Sequence, residues 1–193
     1  NHKKNKKFEI IIKYNWPGCM KNVVNGLDIW KKYWFQNKFK MFDIGSVKNN
    51  DLIIHGRNDD VINIRGHRIG SEEIESVLVE NEEIIEVSAV AVYDKIEGSK
   101  IIVFINTKKL TNQKIDLMNE KIKEKLSSHF GSFAIPKKII YLTCLPKTRS
   151  GKILRRLLRD LYKKPNKKEL GDLSTMINKD KLKIIRNEIY KQK

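Results

Sequence analysis

The 193 residues are 40% hydrophobic, enough for a real core in one or two domains, and 40 Lys and Arg against 23 Asp and Glu leave a net charge of +17. No stretch nears the roughly 18 apolar residues of a membrane span, and the opening Asn-His-Lys-Lys-Asn-Lys-Lys is too charged for a secretory leader. Two distant cysteines, Cys19 and Cys144, exclude a disulfide framework and a zinc site, so a chain with reduced thiols in the cytoplasm, or also the nucleus, is expected. An Asn in first position suggests a fragment or a processed product.

In chain order, residues 8–16 read as a strand that runs into the turn Trp16-Pro17-Gly18. A helix is expected over 26–36, with Ile29, Trp30, Tyr33 and Trp34 on one face as core. Residues 39–46 and 51–55 are short strands joined at Lys48-Asn49-Asn50. These elements have few partners within the chain, so exposed apolar surface is expected. The polar interval Gly56 to Asp60 marks a domain boundary.

Val61 to Ile64 is a β run, and Arg65 to Gly70 a tight connection with two glycines. Ser71 is a good N-cap for a helix with acidic Glu72 and Glu73 in its first turn and a buried stripe of Ile74, Val77 and Leu78. Strands follow over 86–93 and 100–107, then a helix over 112–128 with Ile115, Met118, Ile122 and Leu126 inward, then a strand over 138–142. The order predicts an α+β unit with helices packed on a mainly antiparallel three-stranded sheet and a β-hairpin-like turn. The predicted divisions are 1–58, the β-rich end of something larger; 59–163, the α+β unit; and 164–193, a tail. That tail reads as a linker over 163–180, then a helix over 181–191 that serves for docking.

Residues 146–156, Pro-Lys-Thr-Arg-Ser-Gly-Lys-Ile-Leu-Arg-Arg, stand apart. Small Ser150 and Gly151 deliver Lys152 at the start of a periodic helix, which presents its ammonium forward as a phosphate-handling lysine requires. Leu154, Leu157, Leu158 and Leu161 form the anchoring face, and Arg155, Arg156 and Arg159 are expected on the wet side. The competing reading is a basic surface helix that follows a turn. Charge is uneven: 59–99 holds 11 acidic residues against three basic, and 147–168 ten basic against Asp160 alone. The local cluster therefore carries more meaning than the total.

Four blocks resemble the AMP-forming acetyl-CoA synthetases of the adenylate-forming superfamily: Trp16-Pro17-Gly18; Gly56-Arg57-x-Asp59-Asp60-Val61-Ile62; Gly66-His67-Arg68-Ile69-Gly70-x-x-Glu73-Ile74-Glu75; and Pro146 to Lys152. Gly171-Asp172-Leu173-Ser174-Thr175 resembles the family's ending. The likeness implies the end of the large N-terminal domain followed by the C-terminal lid, without the glycine-rich phosphate loop and acyl pocket, and hence a piece inactive alone.

It further implies a ligase that makes acetyl-AMP from acetate and ATP, then acetyl-CoA from CoA, with Mg2+ arriving on ATP and not held by this chain. Lys152 would bridge carboxylate and α-phosphate, and an acetyltransferase and deacetylase acting on Lys152 would switch it. Arg57 would contact the ATP ribose and Arg68 the phosphates, unless both merely pair with the acidic 72–86 region. Asp59 would be the hinge of lid rotation, and Gly66 and His67 would line the CoA tunnel, although His67 reads equally as structural. The chain departs from the family twice. Ser46 stands where an aspartate binds ribose, with Asp43 nearby but out of register, and Ser127 stands where an arginine nears the CoA 3′-phosphate, with Lys125 or Lys123 as substitute charges. The partners expected are the missing N-terminal domain, acetate, ATP and CoA, with no membrane. The alternatives are a propionyl-type synthetase, an inert docking fragment, and a nucleic-acid-binding module on 147–168, disfavoured because no aromatic platform interleaves it.

Overall fold

The computed structural model describes residues 7–13, 17–20, 23–24, 26–94, 98–108, 111–164, 170 and 172–193. The chain divides into two units, Asn1–Val61 and Ile62–Lys193.

The first unit is an antiparallel sheet in which β3 (Lys38–Lys48) pairs with β1 (Phe8–Ile12), β2 (Trp34–Phe35) and β4 (Asp51–Arg57). Asn49 and Asn50, with φ 51 and 67, close the two-residue β3–β4 turn, because asparagine tolerates the left-handed region that such hairpins need at both positions. The helix expected over 26–36 is only α1 (Leu27–Lys32). Trp34 leaves it to pair with Phe39 in strand register, and the chain reverses through Gln36 and Asn37 at positive φ. The aromatic residues still cluster, with Trp30 and Trp34 rings 5.2 Å apart and Tyr33 edge-on to Phe42 at 5.2 Å. Trp16 and the Ile29 side chain lie outside the described residues. Val47, Leu52 and Ile54 are more than half exposed, in line with the apolar surface expected here.

The second unit opens on the hairpin β5 (Val61–Ile64) and β6 (His67–Gly70), followed by α2 (Ser71–Val79), β7 (Ile84–Asp94), β8 (Gly98–Thr107), α3 (Asn112–Phe130), β9 (Lys138–Tyr141), α4 (Arg155–Lys163) and α5 (Leu182–Gln192). β7 runs antiparallel to β8, and β9 lies parallel to β8 on its far side. Side chains alternate across this sheet. Val87, Ala89, Ile101, Val103 and Ile105 meet Ile74, Val77 and Leu78 of α2 and Met118, Ile122 and Leu126 of α3. Val90, Ile102, Phe104 and Ile140 meet Leu157, Leu158 and Leu161 of α4 and Ile185 and Ile189 of α5. The helices therefore cover both faces, as the unbroken apolar run Ile101 to Ile105 demands, since a strand apolar on both sides must be buried on both.

Two expectations change. Ser71 is the first helical residue and not the cap: Gly70 takes the N-cap position, its N–H donating to Glu73 Oε2 at 2.8 Å. The tail expected over 164–193 is not a free docking segment. Leu170, Met176, Ile185 and Ile189 are buried in the second core, because α5 supplies apolar cover that α4 alone is too short to give. Residues 165–169 and 171 of the expected linker, Gly171 of the closing block included, lie outside the described residues. No helix among those described is long and apolar enough to cross a membrane.

Candidate functional site

Residues 146–154 fold as a small hairpin. Thr148 N–H donates to Lys152 O and Leu154 N–H to Pro146 O, both at 2.9 Å, and Lys147 bridges Ile153 antiparallel. The tip closes with Gly151 N–H on Thr148 O at 2.9 Å, with Gly151 at φ 81 in open space, a backbone that L side chains rarely adopt. Lys152 is exposed on the returning arm. It does not open a helix as expected, because α4 begins only at Arg155. The intervening Ile153 and Leu154 pack on the second core and hold the arm extended. The amine still projects forward, from a hairpin and not from a helix end.

The hairpin's root is tied to the β7 edge of the sheet. Arg155, expected on the wet side, has a side chain only 11% exposed and makes a bidentate contact with Glu75 of α2, Nε to Oε1 at 2.9 Å and Nη2 to Oε2 at 2.6 Å. Glu75 Oε1 also accepts the Ala89 N–H of β7 at 2.9 Å, so one carboxylate joins α2, β7 and α4. Lys147 on the outgoing arm pairs with Glu86 of β7. The Glu75 carboxylate thereby occupies a backbone N–H along an edge strand that would otherwise be open to pairing. Among the described residues no carboxylate lies within ion-pair distance of the Lys152 amine. Sequence reasoning missed Glu75, Glu86 and the destination of Arg155.

The second turn of interest joins β5 and β6. Arg65 and Gly66, at φ 48 and 83, make a two-residue loop with both centres left-handed. Nothing lies within 4 Å of where a Gly66 side chain would begin, so space for a thin ligand exists beside this backbone. His67 stacks on Phe133 at 4.1 Å and 8°, which ties the hairpin to the turn after α3 and gives His67 a structural contact. Arg68 is exposed. Ser127, part-buried near the end of α3, gives its carbonyl to Gly131 N–H at 2.9 Å. Of the substitute charges, Lys125 is held by Glu80 at 2.8 Å and Lys123 by Glu120 at 2.8 Å. The ammonium of Lys125 keeps the Glu80 carboxyl below its ordinary range.

In the first unit Ser46 is 2% exposed and its hydroxyl lies 2.7 Å from His55 Nε2, so that oxygen already has a partner. Asp43 sits opposite Arg57 in the β3–β4 ladder. Arg57 reaches Met41 O at 3.5 Å and stands 6.0 Å over the Phe42 ring. Phe42 itself has φ 62, rare for a bulky residue and of the kind that gathers near functional sites. Asp59 lies in the short 3-10 turn Asn58–Asp60 between extended Arg57 and Val61; its side chain lies outside the described residues.

Within the second unit the two turns are anchored in different cores. The β5–β6 hairpin buries Ile62, Ile64 and Ile69 on the α2–α3 side, and the Lys152 hairpin buries Leu145 on the α4–α5 side. The second unit thus carries an exposed cation and a glycine bend on hairpins whose apolar residues join the cores on opposite faces of its sheet. Among the described residues no group of three or more His, Cys, Asp or Glu could hold a metal ion.

Residues 73–152 match the AMP-binding enzyme C-terminal domain family. The acetyl-coenzyme A synthetase of Herminiimonas arsenicoxydans is 34% identical over 178 residues, 88% of this chain and 27% of the relative. Acetyl-coenzyme A synthetase 2 of Kluyveromyces lactis is 32% identical over 192 residues, 89% of this chain and 27% of the relative. The chain therefore spans about a quarter of the length of these curated relatives. Among solved structures, the amide bond synthetase McbA from Marinactinospora thermotolerans aligns at TM-score 0.68 and 17% identity over 81% of this chain and 31% of that one. The O-succinylbenzoate coenzyme A synthetase of Bacillus subtilis, in complex with AMP, aligns at 0.64 and 24% over 80% and 30%. At those identities the likeness is one of fold.

Proposed function

We propose that the chain is the C-terminal part of an AMP-forming acetate–CoA ligase, because residues 73–152 match the AMP-binding enzyme C-terminal domain family and most of the chain is similar to acetyl-coenzyme A synthetases. Such a ligase joins acetate to ATP as acetyl-AMP with release of pyrophosphate, after which the CoA thiol displaces AMP. Acetate, ATP and CoA are the substrates, Mg2+ enters on ATP, and the remainder of the site belongs to a large N-terminal domain.

The observation that carries this reading is the exposed Lys152 amine on a hairpin whose root is held by Arg155–Glu75 and Lys147–Glu86. Its role is to set a fixed cation against the carboxylate and α-phosphate oxygens where negative charge crowds in the first step. A cation placed in advance lowers that barrier because no solvent must reorganise, and loss of one such group costs about 10²–10³ in rate. Acetylation of Lys152 by an acetyltransferase, reversed by a deacetylase, would remove the charge and stop the step. The Gly66 turn serves the second step, with open space for the pantetheine arm and His67 held flat on Phe133. Arg57 faces the ribose, Arg68 the phosphates, and Asp59 is the point of rotation between poses, whereas Ser46, buried and bonded to His55, takes no part.

The test is Lys152→Ala in the full-length ligase. Acetate-dependent pyrophosphate exchange is expected to fall by about 10²-fold or more while thioester formation from supplied acetyl-AMP persists. Equal loss of both half-reactions refutes the role. The nucleic-acid reading loses ground on geometry, since Arg155 and Lys147 of the basic stretch are already committed to Glu75 and Glu86. The acyl pocket that would separate acetate from propionate lies outside this chain.

A further inference from the structure

The Lys152 hairpin has a third strand that the family match, which ends at Lys152, does not include. Arg149 N–H donates to Thr175 O at 3.2 Å, Ile177 N–H donates to Lys147 O at 3.0 Å, and Thr148 bridges Met176 antiparallel. Asn178 closes the arrangement with its side chain. Its Oδ1 accepts the Lys147 N–H at 3.3 Å and its Nδ2 donates to Leu145 O at 2.9 Å, so a single amide reads the backbone on both sides of Pro146.

The strap is itself fixed at each end. Asp172 accepts Ser174 N–H at 2.7 Å and Ser174 Oγ–H at 2.9 Å, two bonds that hold its carboxyl below the ordinary range, and Met176 N–H closes on Leu173 O at 3.0 Å. The Met176 side chain is 3% exposed in the second core, and α5 follows with Ile185 and Ile189 fully buried. The segment is thus seated independently of the hairpin it supports. A catalytic cation needs such seating, because displacement by about 1 Å can cost 10²-fold in rate.

We propose that the strap Ser174 to Asn178, with Asn178 as its contact residue, is a positioning element that sets the direction of the Lys152 amine for the first half-reaction. The claim that this matters to chemistry rests on the ligase reading; the claim that the strap orders the hairpin does not.

Asn178→Ala separates the two. In the 193-residue chain, amide hydrogen exchange at Lys147 and Arg149 is expected to accelerate at least about fivefold, with the β7–β8 amides unchanged; unchanged exchange at both sites overturns the strap. Should Asn178→Ala unfold the chain, Ile177→Pro deletes the N–H donor to Lys147 O at an exposed side chain and is read the same way. In the full-length ligase the variant is expected to slow acetate-dependent pyrophosphate exchange by about 10-fold to 10²-fold and leave thioester formation from supplied acetyl-AMP intact. Equal slowing of both steps, or of neither with faster exchange, overturns the positioning role. A wild-type ligase without acetate-dependent exchange overturns the ligase reading instead, and the amide data alone then decide the strap.

Discussion

At the scale of single residues, the pair that governs the site is one where charge serves architecture. Arg155 and Glu75 are 11% and 14% exposed, and Glu75 shares its carboxylate with the Ala89 N–H. Arg155→Ala would leave that carboxylate buried with a single neutral donor, and removal of one partner from a buried pair costs roughly 3–5 kcal/mol. The double change Arg155→Met with Glu75→Met removes the stranded charge and leaves chiefly the unmet Ala89 N–H, a cost of about 1–3 kcal/mol. Urea denaturation of both variants checks this: the single variant is expected to be the less stable, and a double variant as damaged as the single would show that packing and not charge is at stake. The Ser150-Gly151 turn and the forward placement of Lys152 were legible in the sequence because small residues and positive φ are local matters. Arg155's partner was not, because it lies 80 positions away and an amphipathic pattern counts every arginine as solvent-facing.

At the scale of elements, the least legible piece was α5. Its composition, rich in Lys, Arg, Asn and Gln, reads as a docking helix and not as core, yet Ile185 and Ile189 are buried, Leu182 packs beside them and Ile184 is half exposed. The structure gives it a second duty beyond core cover. Gln192 Oε1 accepts the Tyr141 N–H at 2.9 Å and its Nε2 donates to Tyr141 O at 2.7 Å, while Glu188 Oε2 accepts the Thr143 N–H at 3.1 Å. A helix side chain thus takes the place of a neighbouring strand along β9, where unpaired backbone would invite association. Gln192→Ala strips both partners from Tyr141 and is expected to cost about 1–3 kcal/mol, visible in urea denaturation, with a rise in light scattering at high protein concentration. A change under a few tenths of a kcal/mol would mean that water replaces the amide at no loss. The strands themselves were readable from Val and Ile runs. That helices cover both faces is written in the same runs, since Ile101 to Ile105 has no polar alternation.

At the scale of the whole molecule, the chain is two units of unequal solidity. Among the described residues of Asn1–Val61, Ile44 is the only hydrophobic side chain under 10% exposure, whereas Ile62–Lys193 holds two extended clusters of such side chains on either side of its sheet. Buried apolar area is the main term that offsets chain entropy, so the first unit has much the smaller reserve of stability. All three tryptophans, Trp16, Trp30 and Trp34, fall in the first unit, and nearly all of the helix in the second. Tryptophan fluorescence and far-ultraviolet circular dichroism therefore report on different units of one chain. In urea, the fluorescence transition is expected at lower denaturant than the ellipticity transition, a separation that two-state unfolding forbids. Coincident curves would show that the β1–β4 sheet draws its stability from Ile62–Lys193 and unfolds only with it. Separate curves would mean that this sheet unfolds by itself, with the smaller reserve that exposed Val47, Leu52 and Ile54 leave it.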